Sequence, residues 1–245
     1  EKALTLFESA QRHEHLGRYS FVAVNPSQSL VVREGVTFLD DVRQTQSPFD
    51  VLERVLGQHP RKTLVELPPF QGGWAGYISY DYGRRLEPKA KIPAFSAVCP
   101  DMVFHLYETV IAIDHLQERA WIIGPEAAAL EKLLQHRQKP LGKVVKVSFA
   151  ADISREIHED NVQRCVEYIL AGDIFQANVT QTFSSAVPEG FDCFALYKQL
   201  RENNPAPFAA LMDYGDVKII SSSPERLIRY NGALAEARPI KGTRK

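Results

Sequence analysis

The sequence predicts an α+β fold built mostly on antiparallel sheet, and three observations lead there. Short β-branched runs are broken by Asn25-Pro26, Glu34-Gly35 and Asn231-Gly232, which suits meanders and hairpins rather than parallel crossovers. Two segments carry helix start and stop signals at 3.6-residue spacing. Strands do not alternate regularly with helices, as a doubly wound parallel sheet would require. With no internal repeat or low-complexity linker, residues 1–245 read as a single domain.

Taken in order, residues 19–24, 29–32 and 36–39 read as one antiparallel meander. Ser47 caps a helix with Pro48 at its first position, and Val51, Leu52, Val55 and Leu56 form its apolar face. Residues 72–80, rich in glycine and aromatics, read as a strand where backbones pack closely. Residues 102–114 and 119–123 make the next hairpin, with Asp114-His115-Leu116-Gln117 at its tip. Ser154 caps the strongest helix, with Ile157, Val162, Cys165, Val166, Ile169 and Leu170 on one stripe and Gly172 as its stop, so Cys165 is expected in a core. A helix from about 191 to 203 ends before Pro205-Ala206-Pro207, and three strands follow to residue 238.

Composition narrows the function classes. The 245 residues include 29 Lys+Arg and 30 Asp+Glu, a net charge of −1, with no long run of one sign. Neither nucleic acid nor an anionic membrane is an expected partner. No apolar run approaches the roughly 20 residues that span a bilayer. Cys99, Cys165 and Cys193 fit neither a disulfide framework nor a Cys-x-x-Cys clip, so a reducing, cytoplasmic setting is expected. The chain opens on Glu1 and stops just after Pro239-Ile240-Lys241-Gly242-Thr243, which reads as a fragment of a longer protein.

Turn chemistry gathers polar residues. A two-residue loop at Asn231-Gly232 pairs Glu225 with Arg238 and Ser222 with Lys241. A loop from Asp213 to Asp216 sets Phe208 opposite Ser221. From spacing alone two readings stand: a site on one rim of the sheet, or a cross-strand Glu225–Arg238 ion pair beside a solvated Lys241.

Those residues carry a resemblance. Ser223-Pro224-Glu225-Arg226, followed by Arg238-Pro239-Ile240-Lys241-Gly242-Thr243-Arg244, resembles the chorismate-utilising enzymes, and within them the component I family of aminodeoxychorismate synthases. Collinear matches lie at residues 172–181, at Asn204-Pro205-Ala206-Pro207-Phe208, and at Gly76-Tyr77 with Tyr82-Gly83-Arg84-Arg85. The resemblance implies antiparallel sheets packed face to face with helices outside, as in anthranilate synthase component I. It also implies that this chain is the N-terminal portion, with a C-terminal portion of comparable size to follow.

The activity implied is conversion of chorismate and ammonia to 4-amino-4-deoxychorismate, for p-aminobenzoate and folate. By match Lys241 attacks the ring at C2, Glu225 protonates the leaving hydroxyl, and Gly242 and Thr243 help bind the substrate. A covalent intermediate divides a difficult displacement into two additions. Lys241 must lose its proton, which desolvation or the nearby Arg238 and Arg244 would favour, whereas Glu225 must keep one. Anthranilate synthase component I has alanine where Lys241 stands, so lysine favours aminodeoxychorismate. Anthranilate synthesis, or a non-catalytic tryptophan-binding or docking role, are the alternatives.

The resemblance further implies a tryptophan site at Ser9, Leu16, Gly17, Arg18, Tyr19, Pro207, Phe208 and Ala209, although Tyr19 and Phe208 also read as core aromatics. Magnesium is the implied cofactor, with ligands in the C-terminal portion and none in this chain; Asp40-Asp41 and Glu159-Asp160 read as solvated. No cysteine sits in a Gly-flanked nucleophile elbow, so a separate glutamine amidotransferase subunit is the expected ammonia source.

Overall fold

A computed structural model describes residues 3–11, 17–90, 99–136, 142 and 146–240. The chain divides into two compact units, residues 1–139 with 196–245, and residues 140–195.

In the first unit the strands run β1 (Leu4–Glu8), β2 (Tyr19–Val24), β3 (Gln28–Arg33), β4 (Val36–Leu39) and β5 (Val42–Arg43), followed by helix α1 (Pro48–Gln58). β6 (Gly73–Ile78), α2 (Gly83–Leu86), β7 (Met102–Tyr107), β8 (Val110–Asp114), β9 (Arg119–Ile123) and α3 (Ala127–Leu134) come next. The second unit holds β10 (Ala150–Ala151), α4 (Arg155–Ala171) and β11 (Phe183–Ser184). Helix α5 (Cys193–Asn203) straddles the division and leads back into the first unit with β12 (Phe208–Asp213), β13 (Lys218–Ser223), β14 (Arg229–Tyr230) and β15 (Ala235–Glu236).

Two antiparallel sheets organise the first unit, in the orders β13-β12-β1-β2-β8-β9 and β5-β4-β3-β7-β6. Their facing sides meet in a core of Ala23 and Val110 from one sheet and Ala75 and Tyr107 from the other, with Phe7, Phe21 and Phe70 packed around it. Helix α1 covers the outer face of the five-stranded sheet through Val51 and Val55, against Leu30, Val32 and Met102. On the outer face of the six-stranded sheet Tyr197 of α5 packs on Ala209 and Leu211. Helices therefore lie outside two face-to-face antiparallel sheets, the α+β arrangement expected.

Close packing at the second sheet explains Gly76, since a Cβ there would lie 1.9 Å from the Val103 carbonyl oxygen across the β6–β7 ladder. The Ser47 hydroxyl accepts from the Asp50 N–H and so caps α1. Leu56, placed on the apolar face by spacing, is instead half exposed.

Several expectations need correction. Strand β1 was not anticipated, although it is central in the larger sheet, pairing with both β2 and β12. The meander starting at residue 19 is broken, because β2 joins the six-stranded sheet while β3 and β4 join the other. Residues 102–114 are likewise two strands, as the chain changes sheets at Glu108-Thr109. A long apolar run conceals such a corner because both strands are buried on the faces that meet.

The two C-terminal registers also shift. Phe208 lies opposite Ser223 rather than Ser221, and Arg229 opposite Glu236. Both loops hold four residues, closed by Tyr214 N–H to Val217 C=O and Asn231 N–H to Leu234 C=O. The Asn231 side chain accepts from Ala233 and Leu234 N–H, an Asx arrangement that favours the longer loop.

Within the second unit, Ser154 caps α4 by accepting from Ile157 N–H, and Gly172 ends it at φ +83°. Cys165 is half-buried rather than a core residue, and no side chain of α4 is buried among the described residues. Periodicity fixes which side chains share a face, but burial also needs a layer to cover it.

Candidate functional site

A concavity of the first unit opens where β1 exits and β2 and β12 enter. Ala10 and Gln11 N–H both donate to the Ala206 carbonyl, which ties the exit of β1 to the segment entering β12. Ser9 is buried there; its hydroxyl donates to the Tyr19 carbonyl at 2.6 Å and reaches the Pro207 carbonyl at 3.3 Å, and its N–H donates to Ser20 Oγ. Three chain segments distant in sequence are thereby pinned to one point.

A cavity of about 500 Å³ lies over this junction. Its apolar lining comes from Phe7, Tyr19, Phe21, Pro69, Pro207 and Phe208, and its polar lining includes Glu8, Ser9 and Arg18. Gly17 forms part of the rim at φ +81°, where a Cβ would lie 2.3 Å from the Gln11 carbonyl oxygen.

The charges around the cavity are held by specific partners. Arg18 donates to both oxygens of Asp114, with Nη2 2.5 Å from Oδ2, while its guanidinium carbon sits 4.8 Å from the Tyr19 ring centroid. Arg18 holds the Asp114 carboxyl below its usual range, against the opposing effect of burial and with help from Leu116 and Gln117 N–H. The Glu8 carboxylate accepts from the Tyr197 hydroxyl at 2.6 Å and from Arg201 at 2.9 Å. Burial, then the bond to Glu8, raises the Tyr197 phenol.

The hairpin of β14 and β15 supplies a second wall, through Arg226, Arg229 and Arg238. Arg226 places its guanidinium 5.6 Å from the Phe208 ring centroid and bonds to Glu236, which also accepts from Arg238 Nε at 3.0 Å. Arg238 above all, with Arg226 and Arg229 adding to it, keeps Glu236 below the usual carboxylate range.

Of the residues expected at a tryptophan site, Ser9, Gly17, Arg18, Tyr19, Pro207 and Phe208 come together around this cavity. Ala209 is buried on the opposite side of β12, against Tyr197, as strand alternation requires. Leu16 lies outside the described residues. Phe7, Phe21, Pro69 and the three hairpin arginines were not anticipated; the arginines could have been suspected from their clustering around one turn.

Of the residues expected at the reacting centre, Glu225 is half-buried in the segment between β13 and β14, where the Ser223 hydroxyl accepts from its N–H and donates to its carbonyl. The expected Glu225–Arg238 ion pair is replaced by Arg238–Glu236, a consequence of the shifted register. Lys241, Gly242 and Thr243 lie outside the described residues.

No three His, Cys, Asp or Glu side chains gather as a ligand set among the described residues. Asp40 caps Ser29 N–H from a turn, and Glu159 pairs with Arg155. No described helix is long and apolar enough to cross a membrane.

Comparison with known proteins places this geometry. Residues 2–245 match the family described as chorismate binding enzyme. The chain is 36% identical to "Anthranilate synthase component 1" of Thermus thermophilus, covering 98% of this chain and 54% of that protein. It is 31% identical to "Aminodeoxychorismate synthase component 1" of Bacillus subtilis, with the same coverage of 98% and 54%. The crystal structure of anthranilate synthase component I from Streptococcus pneumoniae TIGR4 superposes with a TM-score of 0.77 at 27% identity, over 92% of this chain and 56% of that one. The chain thus spans about half the length of the curated relatives it matches. With a match along nearly its whole length and the sheet architecture of a solved relative, the chain belongs to the chorismate binding enzyme family.

Proposed function

We propose that the protein of which this chain is a part converts chorismate and ammonia to 4-amino-4-deoxychorismate. The observation that carries this reading is a lysine, Lys241, in Pro239-Ile240-Lys241-Gly242-Thr243, the position where the family resemblance implies alanine in anthranilate synthases. Lys241 is the nucleophile, forming a bond to the ring at C2 as the C4 hydroxyl departs; ammonia then adds at C4 as the lysine leaves. Glu225 gives the departing hydroxyl its proton, and Gly242 and Thr243 hold the substrate. Ammonia comes from a glutamine amidotransferase subunit, as the name "component 1" of the relatives suggests. Incubating the intact protein with chorismate and an ammonium salt, and identifying the product by chromatography and mass, tests this directly.

Anthranilate synthesis is the second reading, favoured by the 36% identity to a protein of that name. In either case the cavity at Ser9 and Phe208 is read as a tryptophan site. Its size, its aromatic lining and its single buried hydroxyl suit an indole carrying polar groups at one end. Loss of tryptophan binding on blocking Ser9 is the check.

A further inference from the structure

We propose that Asn231, at the tip of the β14–β15 hairpin, is a site of spontaneous covalent modification, where the folded chain converts asparagine to aspartate and isoaspartate through a cyclic imide. The proposal depends neither on the ligand of the cavity nor on the reaction at Lys241.

Sequence and turn geometry carry it together. The chain has six asparagines, and of these Asn231 alone precedes a glycine. Asn25 and Asn204 precede prolines, which have no N–H to react, Asn161 and Asn178 precede β-branched valines, and Asn203 precedes Asn204. Asn231 and Gly232 are exposed, and a Cβ built on Gly232 would meet no atom within 4 Å, so the peptide nitrogen is open to approach. Among the described residues the Gly232 N–H donates no hydrogen bond that attack would have to break.

The Asn231 carboxamide is primed by its own loop. Its Oδ1 accepts from Ala233 N–H at 3.1 Å and from Leu234 N–H at 2.8 Å. Two such donors stabilise the negative charge that develops on the oxygen when a nucleophile adds to Cγ, as in an oxyanion hole. The loop is held in this form by Asn231 N–H to the Leu234 carbonyl and by the Tyr230 hydroxyl to the Gly232 carbonyl at 2.8 Å. The Gly232 nitrogen bonds to Cγ, its proton passes through water to the amide nitrogen, and the Cγ–Nδ2 bond breaks with release of ammonia. Water then opens the five-membered imide at either carbonyl, so a neutral amide becomes a carboxylate with no oxidant or reductant involved. In isoaspartate the main chain runs through Cγ and gains one atom, which breaks the loop closure and the Tyr230–Ala235 pair beyond it.

Incubation of the intact protein at mildly alkaline pH, with and without urea, followed by peptide mapping, tests this. The peptide carrying residue 231 should gain about 1 Da and split into two chromatographic forms, one of which accepts a methyl group from an isoaspartate methyltransferase. In the folded protein the rate at position 231 should be at least about tenfold above that at any other asparagine, and no slower than the rate in urea. Asn231→Gln, which would need a six-membered ring, should leave that peptide's mass unchanged. A folded rate below the rate in urea would show that the turn protects Asn231 and would overturn the proposal. Equal rates at the other asparagines, or a mass gain that persists in Asn231→Gln, would overturn it as well.

Discussion

The Ser9 hydroxyl donates to the Tyr19 carbonyl at 2.6 Å, and through that bond the exit of β1 is fixed to the entrance of β2. The same hydroxyl reaches Pro207, so one small side chain holds the three segments that shape the cavity.

A bulky residue at position 9 fills this junction. Ser9→Phe should raise the dissociation constant for tryptophan at least about tenfold, while circular dichroism stays that of the parent. Overpacking should cost about 1–3 kcal/mol of stability, measurable by urea unfolding. Tryptophan binding at parental affinity would remove the cavity from consideration as the tryptophan site.

Asp114 is buried with Arg18 as its cationic partner. Removing that partner as Arg18→Ala leaves a buried carboxylate with only Leu116 and Gln117 N–H as donors, so stability should fall. Because Arg18 depresses the Asp114 pKa, its contribution is complete above the ordinary Asp value and disappears as pH falls through the depressed one. Denaturant midpoints of the two proteins should therefore differ at pH 7 and converge in strong acid. Equal midpoints at pH 7 would show the pair to be dispensable.

His105 gives a separate pH dependence. It is buried beside Tyr214, with ring centroids 4.5 Å apart, and Nδ1 is 2.8 Å from Ser29 Oγ. Burial lowers its pKa from the ordinary 6.5 to about 4. Above pH 6.5 neither state is protonated and the contribution is complete. Between 6.5 and about 4 the unfolded chain takes a proton that the folded chain refuses, so stability should fall by up to about 3 kcal/mol. His105→Gln should flatten this slope in urea titrations at pH 7 and 5, and an unchanged slope would assign it to other groups.

Thr5 bonds at 2.9 Å to the Tyr107 hydroxyl and at 2.8 Å to that of Tyr214, joining both sheets and the β12–β13 turn. Thr5→Val keeps the shape and removes the shared oxygen, so a loss of about 1–3 kcal/mol is expected from buried hydroxyls left short of a partner. A thermal midpoint equal to the parent's would mean that Tyr107 and Tyr214 satisfy one another without Thr5.

Much of this architecture is legible in the chain, and the failures share a cause. Ser47-Pro48 and Ser154 with Gly172 mark real helix ends, because capping is local chemistry. Val36–Leu39 is found as read. The changes of sheet after Val24 and at Glu108-Thr109 were hidden, since local pattern says which residues are extended and not which neighbour they pair with. Both C-terminal registers moved by two residues, because Asn231 and Tyr214 close four-residue loops where shorter ones were expected. The convergence of Ser9, Arg18 and Phe208 depends on contacts across about 200 residues, and only the family resemblance made it visible. Arg226 and Arg238 flank Glu225 and Lys241 in the motifs that carry the resemblance, and their place in the cavity wall, with Arg229 beside them, comes from the fold alone.

Glu225 tests the acid role apart from the nucleophile. Glu225→Gln keeps the size of the side chain and cannot supply a proton, so the rate of 4-amino-4-deoxychorismate formation should fall by about 10² to 10⁴. Steady-state kinetics on the intact protein with chorismate and an ammonium salt measures this, and a loss of less than threefold would place the acid elsewhere.

The assignment of Lys241 as nucleophile is tested most directly by product analysis of Lys241→Ala in the intact protein, supplied with chorismate and ammonium and followed by chromatography with mass detection. Loss of the covalent route should bring 4-amino-4-deoxychorismate down steeply and move any residual amination toward C2, and in the parent protein incubated with chorismate and no ammonium a substrate adduct should be found on the peptide carrying Lys241. Undiminished 4-amino-4-deoxychorismate from Lys241→Ala would contradict the assignment and leave membership of the family without the proposed lysine chemistry.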